Sequence, residues 1–181
     1  MEIDEHPGRP FKINPKDMTA QQSALIERIK AGPRGRVPPN LQIWLHNIEF
    51  AEVVEKFGEY VSQKAPFSPK AKEIVILGVA SFWRSVFEWH FHAGLAKKHG
   101  VTDAQVDAIW NKSDPKFTDP VEQVTHELIF AITENRDVSD DLHKRAMEKL
   151  GHSGVSDIIG LAGLYTMIAQ TIMFYKLSPP K

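Results

Sequence analysis

The segment Ser85-Val86-Phe87-Glu88-Trp89-His90-Phe91-His92 is the most unusual stretch of proton-moving groups in the chain. On a helix Glu88 and His92 stand four residues apart on one face, so carboxylate and imidazole can touch. Such a contact orients the ring and raises its pKa, which is the arrangement of a general acid/base pair. The same residues admit another reading. Ser85-x-x-Glu88 has the spacing of a capping box, in which Glu88 would only bond a backbone amide at a helix start. Spacing alone leaves both open. Metal chemistry is less well served. His90 and His92 project about 200° apart round a helix and cannot share an ion. His92 and His99 share a face but lie roughly 10 Å apart along the axis. Glu88 with His92 supplies two ligands where metal sites take three or four, so no metal is expected. His99, beside Lys97 and Lys98, suits the negative end of a helix dipole.

Composition removes other chemistries. The 181 residues include no cysteine, which excludes disulfides, thiolate ligands and cysteine nucleophiles. A net charge of −1 gives no general attraction to nucleic acid or to an anionic membrane, and neither partner is expected. The first residues carry no apolar secretory segment, so a cytoplasmic location is expected. Between Asp157 and Lys176 there is no charged residue. Thr166, Gln170 and Thr171 interrupt that stretch, and it reads as a helix buried all round in the core rather than a membrane span. Gly160 and Gly163 would let a neighbouring helix come close.

The elements that must position these residues are all helical. Residues 1–17, with Pro7, Pro10 and Pro15, read as an extended arm, and 18–177 as one domain. Helices are expected over Met18–Lys30 and, after a Gly/Pro loop containing Arg34 and Arg36, over Leu41–Gln63. Ser68-Pro69 starts a helix that runs to Phe82. A break at Trp83–Ser85 precedes a second helix, closed by His99-Gly100. Thr102 with Gln105 caps a short helix to Trp110. Asp119-Pro120 starts one to Asn135, Ser139 one to Gly151, and Ser153 the last. No stretch alternates with period two. The expectation is an all-α fold, about eight helices around one core.

The stretch Ser68 to Trp110, with the loop and helix from Ala31 to Val61, resembles the carboxymuconolactone decarboxylase family of the AhpD-like superfamily. The resemblance covers roughly residues 31–175. In that family's redox branch a Glu precedes Cys-x-x-Cys-x-x-x-His, with the His eight residues before a Gly. Counted back from Gly100, His92 falls on the family histidine and Glu73 on the family glutamate, while Ser85 and Glu88 take the two cysteine positions. The chain therefore looks like the cysteine-free branch, marked by Glu88-Trp89-x-x-His92.

That resemblance implies an AhpD-like helical fold and a trimer, dimer or hexamer. It also implies a cofactor-free acid/base enzyme (a decarboxylase, lyase or isomerase) acting on a small carboxylated lactone or carbonyl compound. His92 would shuttle the proton, Glu73 or Glu88 would orient it, and Ser85 would be a secondary donor. Arg34 and Arg36 would meet a substrate carboxylate, unless they are simply solvated. His46, Trp44, Trp83 and Tyr165 would wall the pocket, with the helix break at Trp83–Ser85 as one side, unless they only pack the core. Replacing His92 by Gln would then cost about 1–2 kcal/mol, as for one hydrogen bond. The alternatives are a non-catalytic binding or accessory member and a peroxide-handling enzyme. The latter needs a thiolate regenerated through a second thiol. The purified protein should accordingly show no hydroperoxide turnover with a dithiol reductant and adaptor protein, and consumption above that of a heat-killed control would overturn this.

Overall fold

The computed structural model describes residues 8–32 and 35–179. Arg34 lies outside them. The chain is 74% helical, with eight helices and, among the described residues, no strand. After a 3-10 turn at Pro15–Asp17 come α1 (Ala20–Ala31), α2 (Pro39–Trp44), α3 (Ile48–Glu59) and α4 (Pro69–Trp83). These are followed by α5 (Val86–Lys98), α6 (Asp103–Trp110), α7 (Pro120–Phe130) and α8 (Asp140–Tyr175). From Ile74 to Ala80 helix α4 is apolar on every side, and it sits at the centre, packed against α5, α6, α7 and α8. Its Ile74 and Leu77 join Ala96, Val106 and Ile109 in one cluster. Its Val75, Ile76 and Val79 belong to the main cluster with Leu161 and Ile168. Gly78 allows this: a Cβ there would stand 2.5 Å from Ile129 Cγ2, so α7 lies almost on the α4 backbone.

Helix α4 ends at Arg84, a non-glycine residue with left-handed backbone (φ 50°). That conformation costs roughly 1–2 kcal/mol in an L-residue. The side chain offsets it: the guanidinium donates to the Trp110 carbonyl at 2.7 Å and lies 4.8 Å from the centre of the Trp110 ring. Ser81 Oγ donates to the Ile109 carbonyl at 2.9 Å. The α4–α5 turn is thus tied to the end of α6, and α5 folds back along α4.

The single helix expected over Leu41–Gln63 is divided. Asn47 leaves helical backbone (φ −123°, ψ 94°) and its side chain accepts from Phe50 N–H, so α3 starts afresh with Asn47 as its cap. Residues Tyr60–Lys64 then widen into a π-turn, as do Ala131–Asn135 after α7. The two last helices expected are the two halves of α8, which meet in a kink at Gly151, where the backbone is non-helical (φ 65°, ψ 177°). From Gly8 on, the arm holds no regular element apart from its 3-10 turn. Phe11 is buried, and Arg9 bonds the Tyr175 and Phe174 carbonyls, fastening the arm to the end of α8.

Helix α8 is long and apolar enough to cross a bilayer by length and composition. It was expected to be buried all round, and it is buried on one face only. Leu161, Leu164, Ile168 and Ile172 are in the core, whereas Ile159 is 51% exposed, Met173 60% and Phe174 62%. Phe50, Val53, Phe57 and Tyr60, spaced three or four apart, form a second exposed stripe on α3 and the turn after it. Phe57 lies against Gly160, so the two stripes adjoin.

Candidate active site

Glu73 is the one carboxylate on the buried part of α4, and it is only 2% exposed. Across the α4–α5 turn it meets His92: Nδ1–H donates to Glu73 Oε2 at 2.7 Å. On the other side of the ring, Nε2 lies 3.5 Å from Glu88 Oε2, one helical turn back on α5. Tyr165 of α8 sets its hydroxyl 3.3 Å from the same Nε2, with its ring edge-on to the imidazole. Two carboxylates therefore bracket one imidazole. Burial alone would push the His92 pKa down, but the hydrogen bonds and charges of Glu73 and Glu88 outweigh it and raise it to about 9. His92 is an imidazolium at neutral pH. Its Nδ1–H is committed to Glu73, while its Nε2–H has only two long contacts and remains able to turn to another acceptor.

The competing reading of Glu88 as a capping residue is not realised. Ser85 precedes α5 but its side chain makes no capping bond, and its own N–H is taken by the Ala80 carbonyl at 2.9 Å. The Ser85 hydroxyl is buried without any hydrogen-bond partner, so it joins neither Glu88 nor His92.

His92 and Tyr165 open on a cavity of about 790 Å³. Its apolar walls are Phe91, Leu95, Leu164 and Ile168, and its cations are Arg36, Lys72 and Lys98. Among the described residues no carboxylate lines it. Arg36 also lies 5.6 Å from the centre of the Phe91 ring. Lys72 and Lys98 were missed in the sequence because a lysine beside an acid or at a helix end reads as solvated. Phe91 and Leu95 follow from the spacing around His92 once α5 is placed.

Four residues expected at the site stand elsewhere. His46 is exposed and its Nε2–H donates to the Phe11 carbonyl at 2.7 Å, so it pins the arm. Trp44 is buried, with its indole N–H on Thr171 Oγ1. Trp83 and Ser85 line a different cavity, of about 410 Å³, with Ala169 and Ile172. The break at Trp83–Ser85 therefore does not wall the His92 cavity; its residues line the other one, against the last turns of α8. No group of three His, Asp or Glu side chains among the described residues is arranged to hold a metal ion.

The expected cost of 1–2 kcal/mol for His92→Gln is also too small, since removing the imidazolium strands two buried carboxylates. Breaking such a buried pair typically costs about 3–5 kcal/mol. The sign of the pH dependence follows from the raised pKa. Stability from His92 is complete below the unfolded value of 6.5 and is lost as pH climbs through about 9. That shift corresponds to at most about 3.5 kcal/mol. Urea unfolding midpoints should fall between pH 6.5 and 9.5 in the wild type, and fall much less in His92→Gln. Equal slopes for the two proteins would remove His92 as the source.

Residues 49–124, from α3 into α7, match the model of the carboxymuconolactone decarboxylase family. No curated protein sequence matches the chain. Several solved structures match its fold. An uncharacterized peroxidase-related protein from Silicibacter sp. TM1040 is 12% identical with a TM-score of 0.75, over 99% of this chain and 95% of that one. An AhpD-core, peroxidase-related protein from Ralstonia eutropha JMP134 is 11% identical with a TM-score of 0.75, over 98% and 95%. The debrominase Bmp8, as an alanine-for-cysteine variant in complex with 2,3,4-tribromopyrrole, is 9% identical with a TM-score of 0.73, over 97% and 94%. The family model thus lies on the helices that carry Glu73, Glu88 and His92, and the chain shares the AhpD-like helical fold of these structures over nearly its whole length, without a cysteine.

Proposed function

We propose that the protein is a cofactor-free acid/base enzyme of the decarboxylase, lyase or isomerase type, acting on a small carboxylated lactone or carbonyl compound. The observation that carries this reading is the His92 Nε2–H: a charged donor held by a buried carboxylate behind it and loosely engaged on the cavity side. The substrate carboxylate meets Arg36, Lys72 and Lys98, and its apolar body lies against Phe91, Leu95 and Leu164. Loss of carbon dioxide or of an α-proton leaves an electron pair that moves onto the carbonyl oxygen. Nε2–H donates to that oxygen as its charge develops, which lowers the barrier most if the donor is preorganised. Glu88, which does not line the cavity, exchanges protons with the substrate through His92 Nε2, and Tyr165 holds the ring edge-on. With a pKa near 9 His92 acts as a resident acid rather than as a base near neutrality.

We also propose that a second copy of the chain covers the adjoining stripes of α3 and α8 in a homo-oligomer, because apolar area of this extent on one face is usually an interface. Light scattering at micromolar concentration should give a multiple of the 20.5 kDa chain mass. Val53→Glu with Met173→Glu should bring it to the monomer. A wild-type monomer would refute the interface.

For the activity, a panel of carboxylated butenolides and 2-oxo acids in heavy water, followed by NMR, reads both carbon dioxide loss and deuterium uptake. At least one should turn over, with an alkaline limb near pH 9 and with kcat roughly 10²–10⁴ lower in folded His92→Gln. Turnover equal in wild type and His92→Gln, or none across the panel, would sink the assignment.

A further inference from the structure

A second cavity, of about 360 Å³, lies between α7, the start of α8 and the loop after α6. None of its lining residues lines the His92 cavity. His126 of α7 lines it and is 6% exposed, packed beside the Phe117 and Phe130 rings; its ring nitrogens bond no other group among the described residues and are not among the atoms sealed from solvent, so they open on the cavity. Nitrogens that open on a cavity are available to whatever occupies it, with one able to donate and the other to accept. The charged groups around it are already matched. Arg145 pairs with Glu127 at 2.6 Å and with Asp141 at 2.9 Å, and Lys112 pairs with Glu134. Asp114 accepts from Lys116 N–H and from Gln123 Nε2, and that same amide nitrogen donates to Glu127.

We propose that this cavity is a binding site for a small, uncharged, single-ring cyclic amide, held by His126. Each part of that description answers an observation. The balanced charges give no advantage to an ion. Burial lowers the His126 pKa and keeps the ring neutral, so it offers one donor and one acceptor, as an amide does. Phe130 and Leu142 supply apolar faces for a flat ring. A volume near the lower end of known ligand sites, about 300–1,000 Å³, admits a single ring. The site is independent of the acid/base reading of His92, and either can fail alone.

The test uses the full chain labelled with ¹⁵N-histidine and titrated with uracil and 2-pyridone, with benzoate as an anion of similar size. The lactams should shift the His126 ring signals saturably at millimolar concentration and leave those of His92 in place. Binding should weaken at least roughly tenfold in His126→Phe, as for one lost hydrogen bond in a buried site. Because His126→Phe alters the core, Asn135→Trp provides a second check: Asn135 is exposed at the rim, and the indole should block entry while the fold stays intact. Failure of both lactams to shift His126, binding unchanged in Asn135→Trp, or benzoate binding as well as the lactams would each overturn the proposal.

Discussion

A carboxylate as deeply buried as Glu73 is unstable in an apolar helix unless a cation reaches it, and only His92 does so among the described residues. The dependence is mutual, since an imidazole in the same place would be neutral without Glu73 and Glu88. This contact requires α5 to lie back along α4 in one register. The left-handed Arg84, the Trp110 carbonyl that receives its guanidinium and the Ser81 bond to α6 together provide that register. Gly78, by letting α7 rest on the α4 backbone, closes the opposite side of the same helix. Much of the architecture can be understood as what is needed to keep one acid and one imidazolium together away from water.

The helical class, the α4–α5 break and most caps were legible because they depend on local chemistry: Ser68-Pro69, Thr102 with Gln105, Asp119-Pro120 and Ser139 all cap the helices they precede. The division at Asn47 was not, since an asparagine inside an apolar periodic run reads equally as a surface position. At the site, Glu88 and His92 are visible from a spacing of four, but their spacing also describes a cap, and only the orphaned Ser85 hydroxyl separates the two. Glu73 became visible only through family resemblance, because nothing in its neighbourhood shows what lies across the turn. Tyr165 was named among several aromatics, and His46, Trp44 and Trp83 were named with it on the same ground. Aromatic type does not tell which of them faces the imidazole. His126 gave no signal at all, because a histidine between Thr125 and Glu127 resembles any half-exposed helical position.

The cavity's charge pattern complements the buried pair. Three cations line the cavity while neither acid does, so an arriving anion meets positive potential first and the compensating negative charge only at a distance. Such ordering concentrates anions at the mouth without neutralising the donor at the bottom.

The glycine at 151 bears on how the molecule moves. Its backbone angles (φ 65°, ψ 177°) are open essentially to glycine alone, and no side chain packs within 4 Å of where its Cβ would be. An unbroken α-helix is a stiff rod that carries a push at one end to the other. This one is two rods on a swivel, with Leu142 and Arg145 on the first and Leu164 and Tyr165 on the second. A displacement of the first rod is taken up as rotation at the swivel before it reaches Tyr165. The edge-on grip on the imidazole is in this way mechanically insulated from events at the far end of its own helix.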